Sequence, residues 1–491
     1  MNKGQSKEAW VKRSGFIAAM LGAMLGTGNL WRFPRMAALY GGGSFLIPYI
    51  IGVLMISIPL LIAEGIIGRG SSRGTIAGFS KYGGKQNAWL GAWSMGVNWL
   101  ILAYYAVILG WAFRYIVYGF QGTFSTYIPG NGEALWSSFL GNPLQLIGCL
   151  AIGWIIVTAI LIKGIKKGIE KVSLLMVPLL IFLMIILAIR ALTLPGALKG
   201  LEYFWLPKKE FLVKPEAWLQ AFSQSLWSTG AGWGIYLTYS SYLKKDDDIN
   251  LNSSITGFGD SSFALIAGLC IIPTVAALAP TLGVSATEVY QSGNTGLIFI
   301  WLTEMFSKMP ASTLIGILFF LAFFIAALTS MLGIAEVVIR NFRDLFGWKR
   351  RKVVLLIAGI TFLLSLPSAI SVNFLNNQDW VWGLALLISA LMTFRIIIKR
   401  GTPDARKDSN RGSDIQIGKW WEYLVKWVAP LSIICVLGWW FLQTCLLYPK
   451  TCWNPTEFYG VGTILLQWSI LLLIIIALKG KIEKRLPIKE G

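Results

Sequence analysis

The chain has 491 residues, 55% of them apolar and only 13% charged, with a mean hydropathy of +0.64. That excludes a soluble globule of this size and points to a polytopic helical membrane protein. The net charge of +20 lies in connections between apolar runs, which argues against nucleic acid as a partner, and the absence of histidine excludes histidine-dependent catalysis or metal binding.

No cleavable signal peptide is expected, because residues 1–13 are polar and the first apolar run is long. Runs able to cross a bilayer lie at about 14–39, 43–68, 88–120, 143–163, 170–193, 216–243, 256–282, 312–340, 352–372, 380–398, 420–444 and 458–479. The expectation is an all-α membrane protein of about twelve transmembrane helices.

The first run, SGFIAAMLGAMLGTGNLWRFPRMAAL, carries Gly22, Gly26 and Gly28, a polar Thr27-Gly28-Asn29 step, Arg32 and Pro34. Glycine and proline weaken a helix, and lipid cannot satisfy the freed backbone groups. One reading is a discontinuous helix whose bare carbonyls and amides bind a ligand; the other is a packing face in which Gly22 and Gly26 stand four apart. The sixth run is interrupted in the same way by Ser228, Thr229, Gly230, Ala231, Gly232 and Gly234. Breaks in helices 1 and 6 suggest a 5+5 inverted repeat, helices 1–5 at about 14–193 and helices 6–10 at about 216–398. This pairing points to a transporter, whose core would be 14–398. Residues 1–13 form an N-terminal segment, 399–419 a linker, 420–480 helices 11 and 12, and 481–491 a tail.

With the N-terminus in the cytoplasm, most of the 43 basic residues fall on that side, while the opposite loop 121–142 has none. Both termini are then cytoplasmic, in a multi-pass protein of the cell membrane. The long loops 121–142, 194–215 and 283–311 lie outside. The last reads as short helical pieces, either a moving lid or a plain connector. Residues 401–418 read as a solvated cytoplasmic linker. Of the cysteines at 149, 270, 435, 445 and 452, Cys445 and Cys452 flank a loop and either pair on an oxidising side or remain free thiols.

Few polar groups interrupt the apolar runs, and each is costly there. Glu64 either receives the amides freed by a broken helix or packs between helices. Asp260 either caps helix 7 or offers a hard anionic oxygen to Na⁺ or a proton. Thr329 and Ser330 either bond back to their own helix or complete a cage of neutral oxygens for a monovalent cation. Tyr104 and Tyr105 offer phenols to a substrate or simply pack. Arg32 with Asp379, and Lys7 with Asp344, would be charge pairs on either side of a central site; weak surface pairs suit gates that must open.

The blocks GAMLGTGNLWRFP, GGGSFLIPYI, PLLIAEGIIGR, SYLKKDDDI and ALTS resemble the neurotransmitter:sodium symporter family, its bacterial and archaeal amino-acid branch above all. The resemblance covers helices 1–10 well and 11–12 loosely. It implies two sodium sites. One would take the Met24 carbonyl, Asn29, Ser228, Asp260 and the substrate carboxylate; the other the Gly22, Leu25 and Ala326 carbonyls with Thr329 and Ser330. Asp260 departs from the asparagine of many relatives, and with Ala264 where some chloride-independent relatives place an acid, Asp260 would supply the charge that chloride supplies in animal members. Gly26 stands where monoamine carriers place an aspartate, so the substrate would bring its own carboxylate to sodium, to the amides near Thr27 and Gly28 and to Tyr105. Its ammonium would meet the carbonyls of Met24, Trp227 and Ser228. Its side chain would lie against Ala23, Ile101, Trp227, Gly230, Trp233, Ser330 and Ile334. The outer gate would be Arg32–Asp379 with Tyr105, Trp227 and Gln224; the inner gate Lys7–Asp344, where lysine cannot form the bidentate pair an arginine would.

These observations predict a Na⁺-coupled symporter importing a neutral, apolar amino acid by alternating access, with no enzymatic activity. One alternative is a proton-coupled carrier of the same fold using Asp260, Glu64 or Glu336. The other is a non-transporting sensor or channel.

Overall fold

The computed structural model describes residues 8–125 and 131–486, and among these the regular structure is helical. Ten continuous helices are long and apolar enough to cross a membrane: Gly43–Ser71, Lys85–Phe120, Pro143–Ile162, Ile165–Leu192, Asn250–Leu282, Ser312–Phe346, Arg350–Ile370, Val372–Arg400, Trp420–Leu447 and Val461–Arg485. Two further segments are interrupted, and neither half of either reaches that length. The first comprises Arg13–Met24 and Phe33–Leu39, the other Pro215–Thr229 and Ile235–Ser240. Counted as one crossing each, they make twelve spans and fall first and sixth in chain order.

The third and eighth spans are the longest and pack along each other at the centre, burying Tyr104, Tyr105, Thr329 and Ser330. The eleventh and twelfth stand at the edge and turn Trp427, Leu431, Leu473 and Ile476 outward, as spans facing lipid must. Their connection closes a disulfide between Cys445 and Cys452, which decides between the two states open to that pair.

The breaks follow from local chemistry. The first helix ends at Met24, and Leu25 leaves helical geometry (φ −69°, ψ 59°), which frees carbonyls in the next turn. In the sixth, Gly230, Gly232 and Gly234 all take positive φ (64°, 87° and 74°), a conformation costly to residues with a Cβ. The amides released there do not stay bare. Glu64 Oε1 accepts from Gly232 N and Gly234 N, both at 3.0 Å, and Oε2 from Leu237 N at 3.4 Å. Of the two readings of Glu64, the structure selects the receiver of amides.

Several boundaries differ from expectation: the tenth span begins at Val372 rather than 380, and the eighth runs on to Phe346 rather than 340. The seventh span begins at Asn250, not 256, because the Asp248 carboxylate accepts from Leu251 N at 2.9 Å and steadies a polar first turn. Asp260 is therefore a buried mid-helix residue and does not cap the helix. The connector 401–418 is not solvated throughout. It forms a helix, Thr402–Asn410, and buries Ala405, Ser409 and Ile417. Polar groups bind it: Arg69 donates to the carbonyls of Asp408, Arg411 (3.0 Å) and Asp247 (2.6 Å), Asp414 N donates to Asp248 Oδ2 at 2.9 Å, and Arg13 reaches Asp414 at 3.3 Å. Charge-rich composition hid a segment whose carbonyls were the recognised groups.

Candidate functional site

Between the two breaks lies a cavity of about 60 Å³. Its walls include Ala23, Met24, Gly26, Thr27, Gly28 and Asn29 from the first span. The third contributes Tyr105 and Ile108, the sixth Trp227, Ser228, Gly230 and Trp233, and the eighth Ser330 and Ile334. Of the residues expected to touch substrate, all but Ile101 line it. Ile101 is buried one turn below, where the third span meets the sixth directly and Asn98 Nδ2 donates to Trp233 O at 2.5 Å. Ile108, Ile235 and Asn294 line the cavity and were not anticipated. Ile108 follows Tyr105 at i+3, a spacing that offered the signal; Asn294 comes from the 283–311 connection, whose position no local pattern reveals.

One end of the cavity is polar. Asn29 spends its amide NH₂ on Asp260 Oδ1 at 2.7 Å. Asp260 Oδ2 and Ser228 Oγ are buried and have no hydrogen-bond partner, as are the nearby Tyr49 Oη and Gln224 Nε2. A fully buried carboxylate with an unsatisfied oxygen costs several kcal/mol unless a cation compensates it, roughly the scale of breaking a buried pair. Hard oxygen donors without nitrogen or sulfur suit an alkali cation. No cluster of three histidine, cysteine or carboxylate side chains suited to a transition metal occurs among the described residues.

Around the first break, a Cβ added at Gly22 would lie 3.3 Å from Thr329 Cβ and 3.5 Å from Ser173 Oγ, so the first, fifth and eighth spans converge there. Thr329 Oγ1 bonds back to Ile325 O (2.9 Å) and Ala326 O (3.3 Å), the intrahelical alternative for that hydroxyl, whereas Ser330 Oγ is buried without a partner. Leu25 and Ala326 are fully buried beside them. Ser173, buried on the fifth span, was not anticipated; only the closeness of Gly22 reveals it.

A Cβ at Gly26 would stand 2.6 Å from Ser330 Oγ and 3.2 Å from Tyr105 Oη, so glycine is what lets the three spans close. Tyr105 Oη accepts from Thr27 N at 3.3 Å and from Thr27 Oγ1 at 3.1 Å. The far wall is apolar. Trp227 and Trp233 pack edge to face at 5.3 Å, and the Met24 thioether lies against Gly230, where an added Cβ would be 2.0 Å from the sulfur. Gly383 makes room for the Trp227 ring, with an added Cβ 2.4 Å from Cζ2.

The expected outer pair is not formed. Arg32 Nη1 donates to Gln224 Oε1 at 2.7 Å and its guanidinium stands 5.5 Å over Trp227, while Asp379 accepts from Tyr104 Oη at 2.9 Å. Each charge has a nearer partner. Arg32, Asp379 and Trp227 divide the site from a second cavity of about 310 Å³ that extends to Trp440 and Tyr448.

On the opposite face, Lys7 lies outside the described residues. Among the described residues Asp344 holds Arg73 (3.1 Å), Arg340 (3.3 Å) and Gly74 N (2.7 Å). The groups that cross-link this face are others: Glu8, Arg343 and Arg350 were not anticipated as partners, and Glu336 was expected only as a proton carrier. Glu8 pairs with Arg343 and, at 3.3 Å, with Arg350. Arg350 also makes a bidentate pair with buried Glu336 (3.0 and 2.6 Å), which accepts from Tyr242 Oη at 2.6 Å. Trp10 donates to Tyr239 O at 3.0 Å and wedges among Phe16, Tyr239 and Tyr242. These pairings join residues far apart in the chain, which spacing cannot foresee.

The chain matches the model of the sodium:neurotransmitter symporter family over residues 7–128 and 138–483. It is 34% identical over 444 residues to an uncharacterised sodium-dependent transporter of Methanocaldococcus jannaschii, covering 88% of this chain and 90% of that protein. It is 30% identical over 451 residues to one of Bacillus subtilis, covering 88% and 97%. Its fold is similar to the crystal structure of MhsT in complex with L-phenylalanine, with a TM-score of 0.79 at 31% identity, covering 88% of this chain and 99% of that one. The two interrupted spans, the cavity they enclose and these matches agree: the chain belongs to the sodium:neurotransmitter symporter family, whose members are sodium-coupled membrane carriers and not enzymes.

Proposed function

We propose that this sodium-dependent symporter imports a neutral, apolar amino acid together with two sodium ions, with both termini in the cytoplasm. Residues 14–398 act as the carrier core, built as a 5+5 inverted repeat, with the spans of 420–480 at its edge. One ion takes the Met24 carbonyl, Asn29, Ser228, Asp260 and the substrate carboxylate. The other takes the carbonyls of Gly22, Leu25 and Ala326 with Thr329 and Ser330, whose hydroxyls rotate from their present arrangement to face it.

The observation that carries this reading is the state of Asp260. Three buried carboxylates were candidates for a proton route. Glu64 is saturated by three amides, and Glu336 by Arg350 and Tyr242. Asp260 alone of the three keeps an unpartnered oxygen, and Ser228 Oγ shares that condition. A cation there offsets the desolvation of the carboxylate and positions the amino acid's own carboxylate against the Thr27 and Gly28 amides. Ion and substrate thus stabilise one occupied state, and release of either on the far side requires the Glu8–Arg350–Glu336 network to part. The fixed negative charge of Asp260 also makes an anionic co-ion unnecessary.

The apolar class follows from the walls: Ile108, Trp227, Trp233, Ile235 and Ile334. At roughly 10–15 Å³ per water, the 60 Å³ cavity holds four to six water-sized centres, enough for the amino-acid backbone. A larger side chain enters by displacing Met24, the most adaptable residue of that wall. MhsT, whose solved complex holds L-phenylalanine, supports the class.

The test is binding of each of the twenty amino acids to purified protein in Na⁺ and in choline buffer. Na⁺-dependent binding confined to apolar zwitterions is expected. Binding that ignores Na⁺, with uptake into liposomes that follows a pH gradient, would replace this reading by proton coupling.

A further inference from the structure

We propose that one corner of the basic face, formed by the 163–171 and 347–352 connections, binds the headgroup of an anionic phospholipid. The two connections are held together from beneath. Arg350 Nε donates to Leu161 O at 2.6 Å, and its guanidinium is fixed by Glu336. Around this anchor Lys163, Lys166, Lys167, Lys171, Lys349 and Arg351 all project as exposed side chains. Lys352 stands 4.4 Å over the Trp348 ring.

Among the described residues the corner lacks compensating charge. Its two carboxylates are already spent: Glu8 on Arg343 and Arg350, and buried Glu170 on Val11 N at 3.1 Å. None of the exposed basic side chains there forms an ion pair with a described residue. The other basic region of the same face is built differently. Residues 399–426 hold seven basic residues but also four carboxylates, and make the pairs Arg400–Asp408, Arg406–Glu422 and Arg411–Asp246. A general excess of positive charge would not concentrate unpaired lysines at one corner while neutralising the other.

The apolar surface beside the corner fits the acyl part of such a ligand. Ile155, Leu175 and Leu355 are exposed, within about three turns of the ends of the fourth, fifth and ninth spans at this face. Lysine ammonium groups are compact point charges suited to a phosphodiester. Each basic residue near an anionic surface strengthens attachment by about fivefold.

The test uses the full-length protein in neutral detergent, titrated with phosphatidylglycerol or phosphatidylcholine and read by native mass spectrometry. Saturable retention of phosphatidylglycerol over phosphatidylcholine is expected. The variant K163Q/K166Q/K167Q/K349Q should weaken it by at least about tenfold. The control K399Q/K407Q/K419Q/K426Q, which removes the same charge elsewhere on the face, should change it by less than about twofold. Retained Na⁺-dependent amino-acid binding would show that both variants fold. Equal loss in the two variants, absence of headgroup preference, or full competition by soluble glycerol phosphate would each overturn the proposal.

Discussion

Replacing Glu64 tests the physical basis of the second break. Its carboxylate is fully buried and is the recorded acceptor for the amides of Gly232, Gly234 and Leu237. Glu64→Ala strands three buried donors, and each unsatisfied donor costs about 1–3 kcal/mol, so the expected loss is roughly 3–9 kcal/mol. Glu64→Gln keeps one carbonyl oxygen, able to serve Gly232 and Gly234, and gives up only the longest of the three contacts. Its loss should be about 1–3 kcal/mol. Equilibrium unfolding of the full chain in mixed detergent–SDS micelles measures both. Because Gly230 and Trp233 of this interrupted stretch line the cavity, Glu64→Ala should also weaken amino-acid binding more than Glu64→Gln does. If the alanine variant lies within about 1 kcal/mol of the glutamine variant, Glu64 is not what holds the interrupted segment open, and the account given for that break is wrong.

Four further outcomes are expected. Asn29→Ala and Thr329→Ala should each abolish Na⁺-dependent amino-acid binding, measured by equilibrium dialysis with radiolabelled substrate; unchanged binding in both would remove the two ion positions. Wild-type uptake into liposomes should not need chloride, and Asp260→Asn should lower it sharply in gluconate with partial recovery in chloride; equal activity of the variant in both anions at the wild-type level would refute the charge role of Asp260. Met24→Ala removes the thioether packed on Gly230 and should shift preference toward larger apolar side chains by roughly 1–3 kcal/mol, about 10-fold or more in relative affinity, since that is what one or two methylenes are worth in an apolar pocket. Cys445→Ser opens a ring closed across seven positions and should lower the stability of the 445–460 connection by about 2–3 kcal/mol, read as faster local proteolysis or hydrogen exchange without loss of sodium dependence.

Most of the architecture was legible because bilayer helices must satisfy their own backbone, so an interruption by glycine is conspicuous against twenty apolar neighbours. That logic pointed to both breaks and offered Glu64 as one of two readings, of which the structure selects the acceptor of the amides freed at the second break. The motif blocks themselves cover only part of the cavity wall, on the first and eighth spans; Tyr105, Trp227, Gly230 and Trp233 lie outside them and came from the family resemblance as a whole. What escaped depends on long-range pairing. Arg32 and Asp379 have the charges of a gate, yet Gln224 and Tyr104 are the nearer partners. Ile101 shares a helical face with Tyr105 but lies one turn below the cavity, a difference in depth that periodicity cannot express. Ser173 and Asn294 come from segments with no polar pattern that would mark them out. The 401–418 connector looked solvated because its composition is charged, although what Arg69 recognises there is main chain.

That connector has a consequence for how opening on the basic face is observed. It touches Arg13 at the start of the first span, Arg69 at the end of the second and Asn250 at the start of the seventh. Any swing of the Arg13–Met24 rod away from its neighbours has to strip the Arg13–Asp414 contact while the Arg69 and Asn250 attachments stay in place. A spectroscopic label at exposed Gln416 therefore sits on the stationary side of a hinge, and its separation from a partner label near Arg13 would report the stroke of the carrier one cycle at a time.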